Sequence, residues 1–109
     1  MANTFKLKTK ANVGVTTVGI YTAPAATTTV VICITLSNTS GSGVNVGVGI
    51  TRAGTTEDVK LLKNAPIPQG SSLEFMGGNK VVLETTDTLT VDSDTNNSVD
   101  AALTIMEIT

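Results

Sequence analysis

The chain has 109 residues, the size of one domain and too short for two well-packed ones. Charged residues make up only 15% and the net charge is −2, so a nucleic-acid binder built on clustered Lys and Arg is excluded. Histidine is absent and cysteine occurs once, which excludes Ser–His–Asp and Cys–His catalysis, zinc sites of Cys and His, and an internal disulfide.

In chain order, strand-like segments alternate with turn signals. The start, MANTFKLKTK, has no apolar core and does not read as a secretory signal. Thr4 to Lys10 alternates cleanly, so Lys6, Lys8 and Lys10 share one face. This reads as a solvated edge strand that lysine protects from aggregation. Val13 to Thr22 is apolar at Val13 and Val15, then at Val18 and Ile20. The parity flips near Thr16-Thr17, which predicts a bulge or a corner where the chain changes sheet. Ala23-Pro24 ends that run.

Thr28 to Ser37 is the strongest strand. Its pattern puts Val30, Ile32, Ile34 and Leu36 on one face and Thr29, Val31, Cys33 and Thr35 on the other. Two partly apolar faces predict a central strand, or one whose second face meets another subunit. Cys33, between Ile32 and Ile34, reads as a small buried hydrophobe. Asn38 to Gly43 is a loop. Val44, Val46, Val48 and Ile50 form the next inward face, with Gly43, Asn45, Gly47 and Gly49 opposite. Glycine at facing strand positions lets another backbone come close, and Gly47 and Gly49 are read here as a sign of self-association.

Arg52 to Thr56 reads as a turn, and Val59 to Lys63 as a strand. The prolines at 66 and 68 make Ala65 to Gly70 an edge or a crossover. Gly77-Gly78-Asn79 predicts a hairpin between Ser72–Met76 and Lys80–Thr85. Thr88 to Asp92 is a short strand. Val99 to Ile108 closes the chain, with Val99, Ala101, Leu103 and Ile105 inward and Ala102, Thr104, Met106 and Ile108 outward.

The resulting expectation is an all-β fold: residues 1–109 as a single antiparallel β-sandwich, jelly-roll or Ig-like, of about eight to nine strands. The longest uninterrupted apolar run, Val30 to Ile34, is far short of a membrane span of about 20 residues. No membrane association is expected.

Little chemistry is on offer. Carboxylates are paired at Glu84 with Asp87 and at Glu57 with Asp58, but Phe5, Tyr21 and Phe75 are the only aromatics available to line a sugar cleft. Asp92-x-Asp94-x-Asn96 has the spacing that opens a calcium loop. However, Asn97 stands where glycine is needed and Leu103 where the bidentate Glu is needed, so Asp92 to Ser98 reads as a polar turn. No catalytic, cofactor-binding or metal-binding residue is expected, nor any cofactor or small-molecule substrate. With few aromatics the core must be built from Val, Ile, Leu and Ala. A sandwich so lightly filled gains from association that buries a second apolar face.

Three stretches carry a resemblance: Ile20–Asn38, Asn64–Val91 and Val99–Thr109, about half the chain and in order. A Tyr-Thr-x-Pro segment, an apolar strand ending in Ser-Asn, a Pro-x-Gly stretch before a Gly-Gly pair, and a hydrophobic last strand together resemble small virion proteins. These are found in bacteriophages of cyanobacteria and other aquatic bacteria. The chain departs from them at Thr86-Asp87, where Gly-Asp is more usual. The resemblance implies a virion structural protein, present in many copies and made in the host cytoplasm. Its partners would be itself, as a homo-oligomer, and other virion proteins, foremost the major capsid protein. A capsid cement or decoration subunit is the first expectation. A tail, neck or fibre component comes second, and a non-viral binding or adhesin module third.

Overall fold

The computed structural model describes residues 3–52, 57–75 and 81–109. Among the described residues, the β-branched runs between turn residues become nine strands. They are β1 (Asn3–Val13), β2 (Val18–Thr22), β3 (Thr28–Asn38), β4 (Val44–Arg52), β5 (Glu57–Ile67), β6 (Ser72–Phe75), β7 (Val81–Leu83), β8 (Thr88–Ser93) and β9 (Val99–Ile108). All pairings are antiparallel. One sheet runs β1-β9-β3-β6 with β7 also on β3, and the other runs β2-β8-β4-β5.

β6 pairs with Ile34–Ser37 of β3 and β7 with Thr29–Val31. They therefore run in the same direction along one side of β3, as a single interrupted strand. With that strand taken as one, the chain crosses between the sheets at every step except the β4–β5 hairpin, in the order of a jelly roll. An Ig-like order would keep the first two strands in one sheet. Here β1 and β2 lie in different sheets.

This arrangement corrects the hairpin expected around Gly77-Gly78-Asn79. Those residues lie outside the described ones, but the strands on either side pair with β3 and not with each other. The turn expected from Arg52 to Thr56 likewise falls on 53–56, outside the described residues.

The corner expected near Thr16-Thr17 is where the chain leaves β1 for β2 in the facing sheet. The edge expected around Pro66 is β5, at the border of its sheet. A turn closed by Ser71 N–H on the Pro68 carbonyl (3.1 Å), with Gly70 at φ 74°, then returns the chain to the first sheet.

Aliphatic side chains from both sheets meet in one core. Val31, Ile34, Leu36, Leu103 and Ile105 come from the first sheet, and Val44, Val46, Val48, Leu89 and Val91 from the second. The registry of β3 differs from the expected alternation. A bulge between Val31 and Cys33 inserts one residue opposite β9. Thr29 and Val31 point inward before it, and Ile34, Leu36 and Asn38 after it. Cys33 is thereby turned to the outer face and only half-buried, and Val30 is also outward, contrary to expectation.

Candidate assembly surfaces

The inward face of β9 ends on a charged residue. Glu107 follows Val99, Ala101, Leu103 and Ile105 in parity and is 6% exposed. Its carboxylate accepts a hydrogen bond from the Tyr21 hydroxyl at 2.6 Å and pairs with Lys6 Nζ at 2.8 Å. The Tyr21 oxygen also lies 2.8 Å from Thr29 Oγ1. Lys6 reaches this site because it sits opposite Ile105 on β9 and so shares the inward side of the sheet. Lys6 and the Tyr21 hydrogen bond hold the Glu107 carboxyl below its usual pKa. Burial and the neighbouring carboxylate push Tyr21 up to about 12. The expectation that the lysine row is only a solvated edge thus holds for Lys10 and fails for Lys6. The inward row read from the sequence stops at Ile105; extending the same parity by two residues is the signal that reaches Glu107. Its partners come from two other strands.

The carboxylates Glu84 and Asp87 do come together, around one cation. Arg52 Nη2 lies 2.7 Å from Glu84 Oε1, and Arg52 Nε 3.0 Å from Asp87. Asp87 is buried and also accepts from the Glu84 backbone N–H at 3.0 Å. This is an ion-pair clamp between strand ends. Thr86 stands at φ 70° in this turn, a left-handed conformation that a β-branched residue rarely takes. Its N–H donates to the Ala23 carbonyl at 2.8 Å, and Ala23 N–H donates to the Asp87 carbonyl at 2.9 Å, tying the two loops together. The other pair is separated in role, since Asp58 accepts from Thr51 Oγ1 on the neighbouring strand.

At the far end, Asn38 is buried with its hydrogen-bonding capacity filled. Its Nδ2 donates to the Ser42 and Ile67 carbonyls, and its Oδ1 accepts from Ser40 N–H and Ser40 Oγ. The Asp92–Ser98 segment is tied down by its own chain. Asp94 Oδ1 accepts from Asn45 N–H at 3.1 Å, and Ser93 and Ser98 hydroxyls meet at 2.7 Å.

The sheet borders and two outward faces remain. β1 and the β6/β7 line border one sheet, and β2 and β5 the other. Glycine on the outer side of β4 is filled from within the molecule. A Cβ on Gly49 would lie 2.9 Å from the Val59 carbonyl oxygen, and one on Gly47 3.2 Å from that of Leu62, both on β5. The close backbone approach expected at Gly47 and Gly49 is therefore made by the chain itself, and these positions are not open to a second copy.

The outer face of the β1-β9-β3 sheet is different. Phe5, Met106, Val30 and Val82 stand in one cross-strand row. Leu7, Thr104 and Cys33 form the next row, then Thr9, Ala102, Thr35 and Glu74. Phe5 is 69% exposed, Leu7 65% and Val82 54%.

No family model matches this chain, and no curated protein does. Among solved structures it is similar to a chain of Bacillus endospore appendages described as disulfide-linked pili. That match has 16% identity and a TM-score of 0.57, covering 99% of this chain and 87% of that one. It is also similar to a chain of infectious bursal disease virus, Gx strain, with 11% identity and a TM-score of 0.55. There it covers 98% of this chain but spans only 33% of the viral one. A pentameric capsid protein from metagenomic phage sequences aligns at 18% identity and a TM-score of 0.45, over 94% of this chain and 59% of that one. At these identities the likeness is one of fold.

Proposed function

We propose that this chain is a non-catalytic structural subunit of a bacteriophage virion, bound as a cement or decoration protein to the outside of the head. The observation that carries this reading is the jelly-roll order of the strands, an architecture used by capsid domains. The fold likeness to a virus chain and the resemblance to phage virion proteins both support it. Lectins also use jelly rolls, but here Tyr21, one of few aromatics, is committed to the interior. An exterior position fits a net charge of −2, which suits packaged DNA poorly.

Attachment runs along β1, whose free edge offers unpaired backbone groups for strand addition by a capsid neighbour. β5 is less suited, because Pro66 brings no N–H. Many symmetric copies make weak contacts strong in sum. Removing residues 1–10 is not a clean test, since Lys6 neutralises Glu107 and β1 covers β9. Substituting a proline for Thr9 in β1, with folding checked, is cleaner.

The likeness to pili favours a second reading, a non-viral fibre subunit. One cysteine in these residues can link a pair of chains but cannot link each copy to two neighbours. Mass spectrometry of purified particles separated into heads and tails tests the first reading. The protein is expected on tailless heads. Its presence on tails alone would replace the head assignment with a tail one, and its presence only in cell-surface fibres would favour the second reading.

A further inference from the structure

We infer that the outer face of the β1-β9-β3 sheet binds a second copy of this chain, face to face, about a two-fold axis running across the strands at Leu7, Thr104 and Cys33. This inference rests on the reading of the chain as an assembly subunit.

The face is graded in size along the strands. On one side of the Leu7 row stand Phe5, Met106, Val30 and Val82. On the other stand Thr9, Ala102 and Thr35, which with Ala11 and Ser37 line a shallow hollow of about 260 Å³. A two-fold axis at the Leu7 row reverses this order in the second copy. Met106 of one copy then lies over Ala102 of the other, Phe5 over Thr9, and Val30 over Thr35. Large residues enter the hollow on both sides at once, the self-complementarity that an isologous contact requires.

Charge and area agree with a like partner. The lysines of β1 stand opposite the inward residues Ile105, Leu103 and Ala101, and of the three only Lys10 also borders the hollow, beside Asp100. Of the acidic residues here, Asp100 is engaged by the Asn12 N–H at 3.0 Å, and Glu74 lies on the border strand. The centre therefore sets no like charges against each other. Strands of 10 and 11 residues in a sheet four strands wide span about 35 by 19 Å, at ~3.4 Å per residue and ~4.8 Å per strand. That is roughly 650 Å² in plan, close to the ~800 Å² per partner of a stable interface.

Sedimentation velocity on the purified protein over a range of concentrations tests this. The expected result is a dimer that Met106→Lys and Ala102→Trp each weaken at least about a hundredfold. The first charges the ridge and the second fills the hollow, and both sites face outward, so a native circular dichroism spectrum is expected in each. Thr90→Lys, on the other sheet, should leave the dimer intact. Cys33 should react with a thiol reagent more slowly as protein concentration rises. A wild-type protein that stays monomeric, or a dimer that both ridge and hollow variants leave unchanged, overturns the inference. The first outcome would give this face to another protein, the second would place self-association elsewhere. Dimerisation is read on isolated protein and head attachment on particles, so either can fail without the other.

Discussion

The outward faces of the two sheets solve the same problem in opposite ways. In the β2-β8-β4-β5 sheet the outer side chains satisfy one another. Thr22 meets Thr88, Thr17 donates to Asp92, and Thr51 donates to Asp58. β5 closes over the glycines of β4. In the β1-β9-β3 sheet the outer side chains are mostly apolar and stand in register without covering. A sheet in a sandwich buries one face by folding, and the chain must still dispose of the other. Here one is finished with threonine and the other keeps apolar side chains such as Phe5 and Leu7 exposed.

The largest expected effect tests which residues of β3 belong to the open face. Ile34→Ala empties a fully buried position and should cost about 2–5 kcal/mol. Its neighbour Cys33→Ala, on the outer side, should cost less than about 1 kcal/mol. Equal losses in urea midpoint would break the bulged registry.

Next comes the closed face. Gly49→Ala drives a Cβ against the Val59 carbonyl and should cost about 1–3 kcal/mol. Gly47→Ala should cost less, because its closest contact is the Asp92 side chain, which can turn away. The reverse order would mean that β5 does not seat on β4 as described.

The Lys6–Glu107–Tyr21 site joins the open sheet to the closed one, and pH probes it. Glu107 has a folded pKa below its ordinary 4.5. Its stabilisation is therefore present above that value and lost as pH falls through the depressed one. Tyr21 is raised from 10.0 to about 12, so its contribution is complete below 10 and lost as pH climbs toward 12. Denaturation midpoints should fall at both extremes, and Glu107→Gln should flatten the acid limb. An unchanged acid limb would mean the site contributes nothing.

The smallest expected effect is on the closed face. Thr22→Val removes an exposed hydrogen bond to Thr88 and should change stability by no more than about 0.5 kcal/mol. A larger loss would show that the threonine pairs hold that face together.

How far the sequence could be read depended on where parity carries information. In β9 small or polar residues separate the inward ones, and Val99, Ala101, Leu103 and Ile105 were assigned to the right side. From Val30 to Ile34 every residue is apolar or cysteine, so a one-residue bulge leaves no trace in the pattern, and Cys33 was read as core. Gly77-Gly78-Asn79 signals a turn by local rules, but the partner of the flanking strands is β3, far upstream in the chain. The corner at Thr16-Thr17 was legible because parity breaks between unambiguous apolar positions. The buried site was half legible: Glu107 is inward by parity, while Lys6 and Tyr21 are brought to it only by the sheet order.

The place of β9 in that order has a consequence for synthesis. The last strand lies between β1 and β3 and separates them. A ribosome that has delivered everything up to Asn97 has therefore made β1 on one side and β3 with β6 and β7 on the other, with nothing to join them. The vectorial emergence of the chain cannot be used to lay the sheet down strand by strand, and closure waits for residues 99–108. Nascent chains arrested before Val99 should be open to protease along their whole length, and protection should appear in one step once β9 has cleared the exit tunnel.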